Sequence, residues 1–174
     1  IKDTFKLYVQ DGILVGHNIC GFDLPTLEKL YGIDVWQWIK EGRVYDTMLA
    51  SYILDPERKS HSLDSYGNEM GYPQGEYSDW SRYTPEMLEY CKRDVELTRL
   101  LFLKQKGDKE FKNIQEAMRL ECQVSYIHSQ QVRNGVTFNM DKAIAFEEMI
   151  GARRKVLQDK IMAELPMIYK KAGT

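Results

Sequence analysis

Two carboxylates of this chain are best placed to do chemistry: Asp23, at the end of the stretch HNICGFD, and Asp94, at the end of YCKRD. Asp23 follows a short apolar run, Ile13-Leu14-Val15, through a polar turn. Pro25 opens a helix just after it, so this carboxylate stands where a strand gives way to a helix. Tyr90 and Asp94 lie four residues apart in a helical pattern, a spacing that puts both on one face. Carboxylates from separate segments that meet in one pocket suit phosphodiester hydrolysis by divalent ions, because hard cations take oxygen ligands and keep positions open for water and phosphate. A phenol one turn before such a carboxylate is placed to orient the attacking water. Each signal alone has a plainer reading. An Asp ahead of a short helix is commonly its N-cap, and a Tyr on an amphipathic helix commonly packs at the core's rim. Order, spacing and context taken together favour the chemical reading.

The elements that must hold these groups can be read coarsely. Residues 5–9 read as a short amphipathic helix or its end, and 13–16 as a buried strand. Residues 24–31 read as a helix with Leu27 and Leu30 on one face, ended by Gly32 at the left-handed C′ position. Residues 44–49 form a second candidate strand that runs into 50–54 before the Asp55-Pro56 turn. A short helix over 62–70, capped by Ser62, stops at Gly71, and a loop over 72–83 contains Pro73 and Gly75. Thr84 and Pro85 supply the N-cap and first-turn proline of a long helix over 86–104. A further helix, 111–132, breaks at Asn134-Gly135, and Asn139 caps a last helix from 140 towards 165. Strand, helix, strand and then several helices indicate an α/β layer fold, with too few strands for a self-sufficient sheet.

Composition excludes several classes. With 174 residues, 43% of them hydrophobic, and a net charge of −2, the chain suits one ordinary domain plus an appendage. The three cysteines, Cys20, Cys91 and Cys122, are widely spaced with no CxxC pair, which implies neither a disulfide framework nor a zinc site and fits a cytoplasmic setting. No apolar run approaches membrane-spanning length, so no membrane partner is expected. Near-neutral charge does not exclude a nucleic-acid partner, since an acidic metal pocket offsets basic patches elsewhere.

The segments NICGFD and YCKRD resemble motifs two and three, NxxxFD and YxxxD, of the DEDD exonuclease superfamily in its tyrosine-containing branch. The resemblance implies a ribonuclease-H-like fold, with Asp23 and Asp94 as metal ligands, Tyr90 orienting the water, and Asn18 and Phe22 contacting substrate. It implies two Mg²⁺ or Mn²⁺ ions in a complete site. It also implies a first motif, DxE, on an antiparallel hairpin that precedes motif two. The three DxE occurrences, Asp55-Pro56-Glu57, Asp94-Val95-Glu96 and Asp108-Lys109-Glu110, all follow motif two. The expected fold is therefore a ribonuclease-H-like exonuclease lacking its N-terminal antiparallel strands, followed by long helices leading to a polymerase domain. On that expectation the chain alone has little or no activity.

Three further stretches narrow the resemblance. VYDTMLASYILDP, SHSLDSYGNEMGY and LECQVSYIHSQQVRNGVTFNMDKAIAFEEM resemble the proofreading domain and the junction after it in family A DNA polymerases, particularly those of short-tailed bacteriophages. Glu121, Arg133, Asn134, Gly135, Val136 and Asp141 carry the junction match. The implied division is 1–107, a partial 3′-to-5′ exonuclease domain, and 108–174, a helical junction and the start of the polymerase domain. The implied partners are a single-stranded or frayed 3′ end of DNA and the rest of a polymerase chain. A ribonuclease-D-like exoribonuclease and a degenerate, non-catalytic nucleic-acid-binding module are the alternatives.

Four smaller expectations complete the reading. Asp46 satisfies backbone donors at a strand end. His17 is packed or hydrogen-bonded, because Mg²⁺ prefers oxygen. The loop aromatics Tyr72, Tyr77, Trp80 and Tyr83 pack on the domain rather than stack bases. Arg153, Arg154 and Lys155 form a solvated face.

Overall fold

The computed structural model describes residues 12–165. The helix expected over residues 5–9 lies outside them. Two short parallel strands, β1 (Leu14–Gly16) and β2 (Val44–Asp46), pair in register, Leu14 with Val44 and Gly16 with Asp46. The remainder is mostly helical: α1 (Asp23–Tyr31), α2 (Val35–Lys40), α3 (Thr47–Leu54), α4 (Leu63–Glu69), α5 (Pro85–Lys106), α6 (Gln115–Asn134) and α7 (Met140–Glu164).

Local chemistry accounts for most of the boundaries. Gly32 closes α1 with φ 59°, a left-handed conformation that glycine adopts without a Cβ penalty. Ser62 accepts from the Ser65 backbone N–H, Thr84 from Met87, and Asn139 from Lys142, so three expected N-caps are in place. The second strand is shorter than expected: Asp46 ends it and caps α3, so residues 47–49 are helical instead of extended. The helix expected from 111 begins at Gln115, after a run of turns, and α2 was not anticipated.

The two strands are covered by the two longest helices of their unit, α5 packing on β1 and α6 on β2, while α2, α3 and α1 also pack on α6. Leu24, Val35, Ile39, Val44, Met118 and Cys122 lie in the resulting core. β1 itself is only half-buried, and Ile13 before it is 63% exposed, so the expected buried strand is an edge among the described residues. Leu30 is also exposed, and α1 buries Leu24 and Pro25 instead.

The chain divides into two compact units, Ile1–Asn134 and Gly135–Thr174. The break between these units falls at the Asn134-Gly135 turn, where Gly135 has φ 68°. In the second unit α7 has no buried residue, and Arg153, Arg154 and Lys155 are exposed.

Candidate functional site

The turn from β1 into α1 is shaped by one buried carboxylate. Asp46, fully buried, accepts from the backbone N–H of Asn18 at 2.9 Å and of Met48 at 3.0 Å through Oδ1, and from Cys20 at 3.1 Å through Oδ2. Leu49 N–H, at 3.4 Å, is a further, longer donor to Oδ1. Asp46 thus ties the Asn18–Cys20 backbone to the first turn of α3, the structural role expected of it. The turn is tight: Asn18 sits in the left-handed region at φ 58°, and a Cβ on Gly21 would fall 2.6 Å from the Asn18 Oδ1. His17 Nδ1 lies 3.0 Å from Thr47 Oγ1, whose own proton goes to the Gly16 carbonyl. Burial lowers the His17 pKa, against the opposing influence of the Asp46 charge and the His61 backbone.

This turn delivers Asp23 as the first residue of α1. The N-cap position is held by Phe22, with no side-chain cap bond, so Asp23 is not the helix's cap. Asp23 and Asp94 line one cavity of about 750 Å³ together with Gly16, His17, Asn18 and Gln74. Its apolar wall includes Leu14, Val15, Leu27, Val95 and Phe102. Desolvation raises both carboxyl pKa values. Asp23's own backbone N–H opposes the rise and the Asp46 charge adds to it, while at Asp94 a hydrogen bond from Gln74 opposes it. Burial thus makes the charged form of each group costly, a cost that a bound cation would relieve.

Tyr90 stands one turn before Asp94 on α5, outside the set of residues that line the cavity. It packs against Trp80 edge-on at 5.6 Å and against Tyr77 at 5.9 Å between ring centroids, and Tyr77 and Trp80 meet at 4.9 Å. Desolvation, then the Asp94 charge, raises the phenol's pKa, so it remains a hydrogen-bond donor at neutral pH. Part of the aromatic loop thus packs on the domain as expected, whereas Trp80 and Tyr83 remain 54% and 71% exposed. Phe22 is also exposed, at 67%, beside Asp23.

Asp23 and Asp94 are oxygen donors of the kind Mg²⁺ and Mn²⁺ take. Among the described residues, however, no group of three His, Cys, Asp or Glu side chains is gathered to hold an ion. The donor set fits such an ion in kind and falls short in number. Thr98 and Arg99 on α5 also line the cavity without having been named from the sequence, and Gln74 is a further polar residue there that sequence reasoning missed. Only its place in the loop after Gly71 was visible, and a polar loop residue carries no spacing signal.

No protein-family model matches the chain. The DNA-directed DNA polymerases of Escherichia phage T7 and Enterobacteria phage T3 are each 23% identical to it, over 94% of this chain and 31% of their own length. The DNA polymerase I of Aquifex aeolicus is 39% identical over 60% of this chain and 17% of its own. The chain thus spans less than a third of the phage relatives it matches. It is homologous to DNA polymerases of the DNA polymerase I and phage T7 type. None of its described helices is long and apolar enough to cross a membrane.

Proposed function

We propose that this chain is the later part of the 3′-to-5′ exonuclease region of a DNA polymerase, over residues 1–107, followed over 108–174 by the junction that leads to the polymerase domain. The observation that carries this reading is that Asp23 and Asp94, from distant segments, line one cavity in a chain homologous to DNA polymerases. The substrate is the frayed or single-stranded 3′ end of DNA. Paired divalent ions, Mg²⁺ or Mn²⁺, supply an activated water and stabilise the leaving oxygen when bound. Asp23 and Asp94 would hold them, with further ligands from beyond the described residues, since two carboxylates do not fix an ion pair. Asn18 and exposed Phe22 border the place of the terminal nucleotide. Tyr90 keeps its proton and offers its hydroxyl to the water from the turn above Asp94.

The test uses the polymerase that bears this chain, with end-labelled single-stranded DNA and either cation. Asp94→Ala is expected to abolish stepwise shortening, while Tyr90→Phe slows it by a smaller factor and leaves metal affinity nearly unchanged. Undiminished shortening with both Asp23→Ala and Asp94→Ala would refute the reading. Degradation of RNA in preference to DNA would instead make the region a ribonuclease, and no cation-dependent degradation in the wild type would make it a non-catalytic module.

A further inference from the structure

Gln74 and Asp94 are joined across the cavity's rim by one hydrogen bond: the Gln74 carboxamide Nε2 donates to Asp94 Oδ1 at 2.8 Å. Among the described residues this is the carboxylate's one hydrogen bond, and it leaves Oδ2 without a protein partner. The loop bearing Gln74 is tied down at several points. Tyr72 N–H donates to the Gly67 carbonyl at 2.8 Å. Arg93, the neighbour of Asp94 on α5, donates from Nη1 to the Pro73 carbonyl at 3.1 Å and lies over the Tyr72 ring at 5.5 Å. Gly67 lets the loop approach this closely, because a Cβ there would lie 2.7 Å from the Tyr72 carbonyl oxygen and 3.4 Å from the Gln74 nitrogen.

We infer that Gln74 is a positioning residue for Asp94: clasped in place by Arg93, its carboxamide takes one carboxylate oxygen and turns the other towards the cavity that Asp23 shares. The inference rests on the proposed cation-binding role of that cavity. Asp94 is half-buried at the cavity's rim, and an aspartate without a fixed partner has several open rotamers, a freedom that must be given up when a ligand is bound. A donor fixed from another segment removes that loss beforehand, as outer-shell partners do for metal-ligating carboxylates. Arg93 and Asp94 are consecutive, so the same turn of α5 both holds the loop and receives its amide.

The experiment uses this chain and two readouts. Side-chain three-bond couplings of Asp94 report its rotamer, and a Mn²⁺ titration followed by paramagnetic broadening reports affinity at Asp23 and Asp94. The variants are Gln74→Met, which keeps length but has no donor, and Arg93→Ala, which keeps the donor but frees the loop. The wild type is expected to show one Asp94 rotamer and both variants an average, with Mn²⁺ affinity lowered about tenfold, the lower end for lost outer-shell partners. Unchanged couplings in Gln74→Met would overturn the inference, as would averaged couplings with unchanged Mn²⁺ affinity. Should Mn²⁺ broaden neither Asp23 nor Asp94 in the wild type, the cation-site reading fails, while the couplings still decide whether Gln74 sets the carboxylate.

Discussion

Replacing Asp46 by alanine tests whether one buried carboxylate holds the turn that presents Asp23. The side chain is fully buried and accepts three backbone N–H groups at 2.9–3.1 Å, those of Asn18, Cys20 and Met48. Met48 belongs to the first turn of α3, and losing an N-cap there costs about 1 kcal/mol. The Asn18 and Cys20 donors lie in a half-buried turn and bond to no other acceptor among the described residues, and each unsatisfied buried donor costs about 1–3 kcal/mol. Asp46→Ala should therefore destabilise the domain by about 3–7 kcal/mol, a large part of the roughly 5–15 kcal/mol typical of folded domains. Asp46→Asn keeps Oδ1 for Asn18 and Met48 but turns an amide donor towards Cys20 N–H, so about half that loss is expected. Urea unfolding followed by tryptophan fluorescence gives both values, and amide spectra locate the change. A loss under 1 kcal/mol for Asp46→Ala, with the Asn18 and Cys20 amides still protected from exchange, would refute the reasoning: the turn would then be held by packing rather than by the carboxylate.

Three further outcomes are expected. Glu28 on α1 accepts from Tyr126 at 2.6 Å, Gln130 at 2.8 Å and Arg133 at 3.1 Å on α6. Desolvation raises its pKa, but these bonds outweigh it and the net shift is downward, so its contribution is present above the ordinary glutamate value of about 4.3 and is lost as pH falls through the folded value below that. Glu28→Gln should cost about 1–2 kcal/mol at pH 7 and little near pH 3, as measured by urea midpoints at the two pH values. His17, lowered chiefly by burial, stabilises the fold above its ordinary value of about 6.5 and loses that contribution as pH falls below it, so His17→Gln should flatten the change in stability between pH 7.5 and 5.5. An unchanged slope in that variant would assign the pH dependence to other groups. Gly67→Ala puts a Cβ 2.7 Å from the Tyr72 carbonyl oxygen and 3.0 Å from Leu97 Cδ2, and should cost about 1–3 kcal/mol with amide shifts concentrated at residues 72–74.

The features legible in the sequence are those whose cause is local. Ser62, Thr84-Pro85 and Asn139 announce helix starts because a short polar side chain satisfies the first free N–H groups wherever it stands, and Gly32 announces a stop because it adopts φ above zero freely. The same rule was available for α2, where Asp34 caps a helix that buries Val35 and Ile39 four residues apart. Trp36 and Trp38 between them disguise that spacing. The second strand was overextended for a related reason. Val44 to Leu49 is apolar enough for either state, and only the contacts of Asp46 with Asn18 and Cys20, supplied by a segment 26 or more residues away, make it the last strand residue and a cap.

Tertiary placement decided the rest, and the site shows how. Asp23 and Asp94 could be paired from sequence because each sits in a recognisable motif, yet their shared cavity depends on β1 and α5 packing together. The spacing of Tyr90 and Asp94 is equally plain in the sequence, since residues four apart on a helix share a face. Its surroundings, however, are set by Tyr77 and Trp80, which fold over it from a loop whose path no periodicity encodes. Gln74 is the limiting case. Nothing about a glutamine after a proline marks it, and its meeting with Asp94 exists because Gly67 has no side chain and Arg93 reaches the Pro73 carbonyl. Carboxylates can be nominated by motif. The groups that meet them come from whichever loop the packing brings within 3 Å, so a site read from sequence names its carboxylates before the partners that bond them.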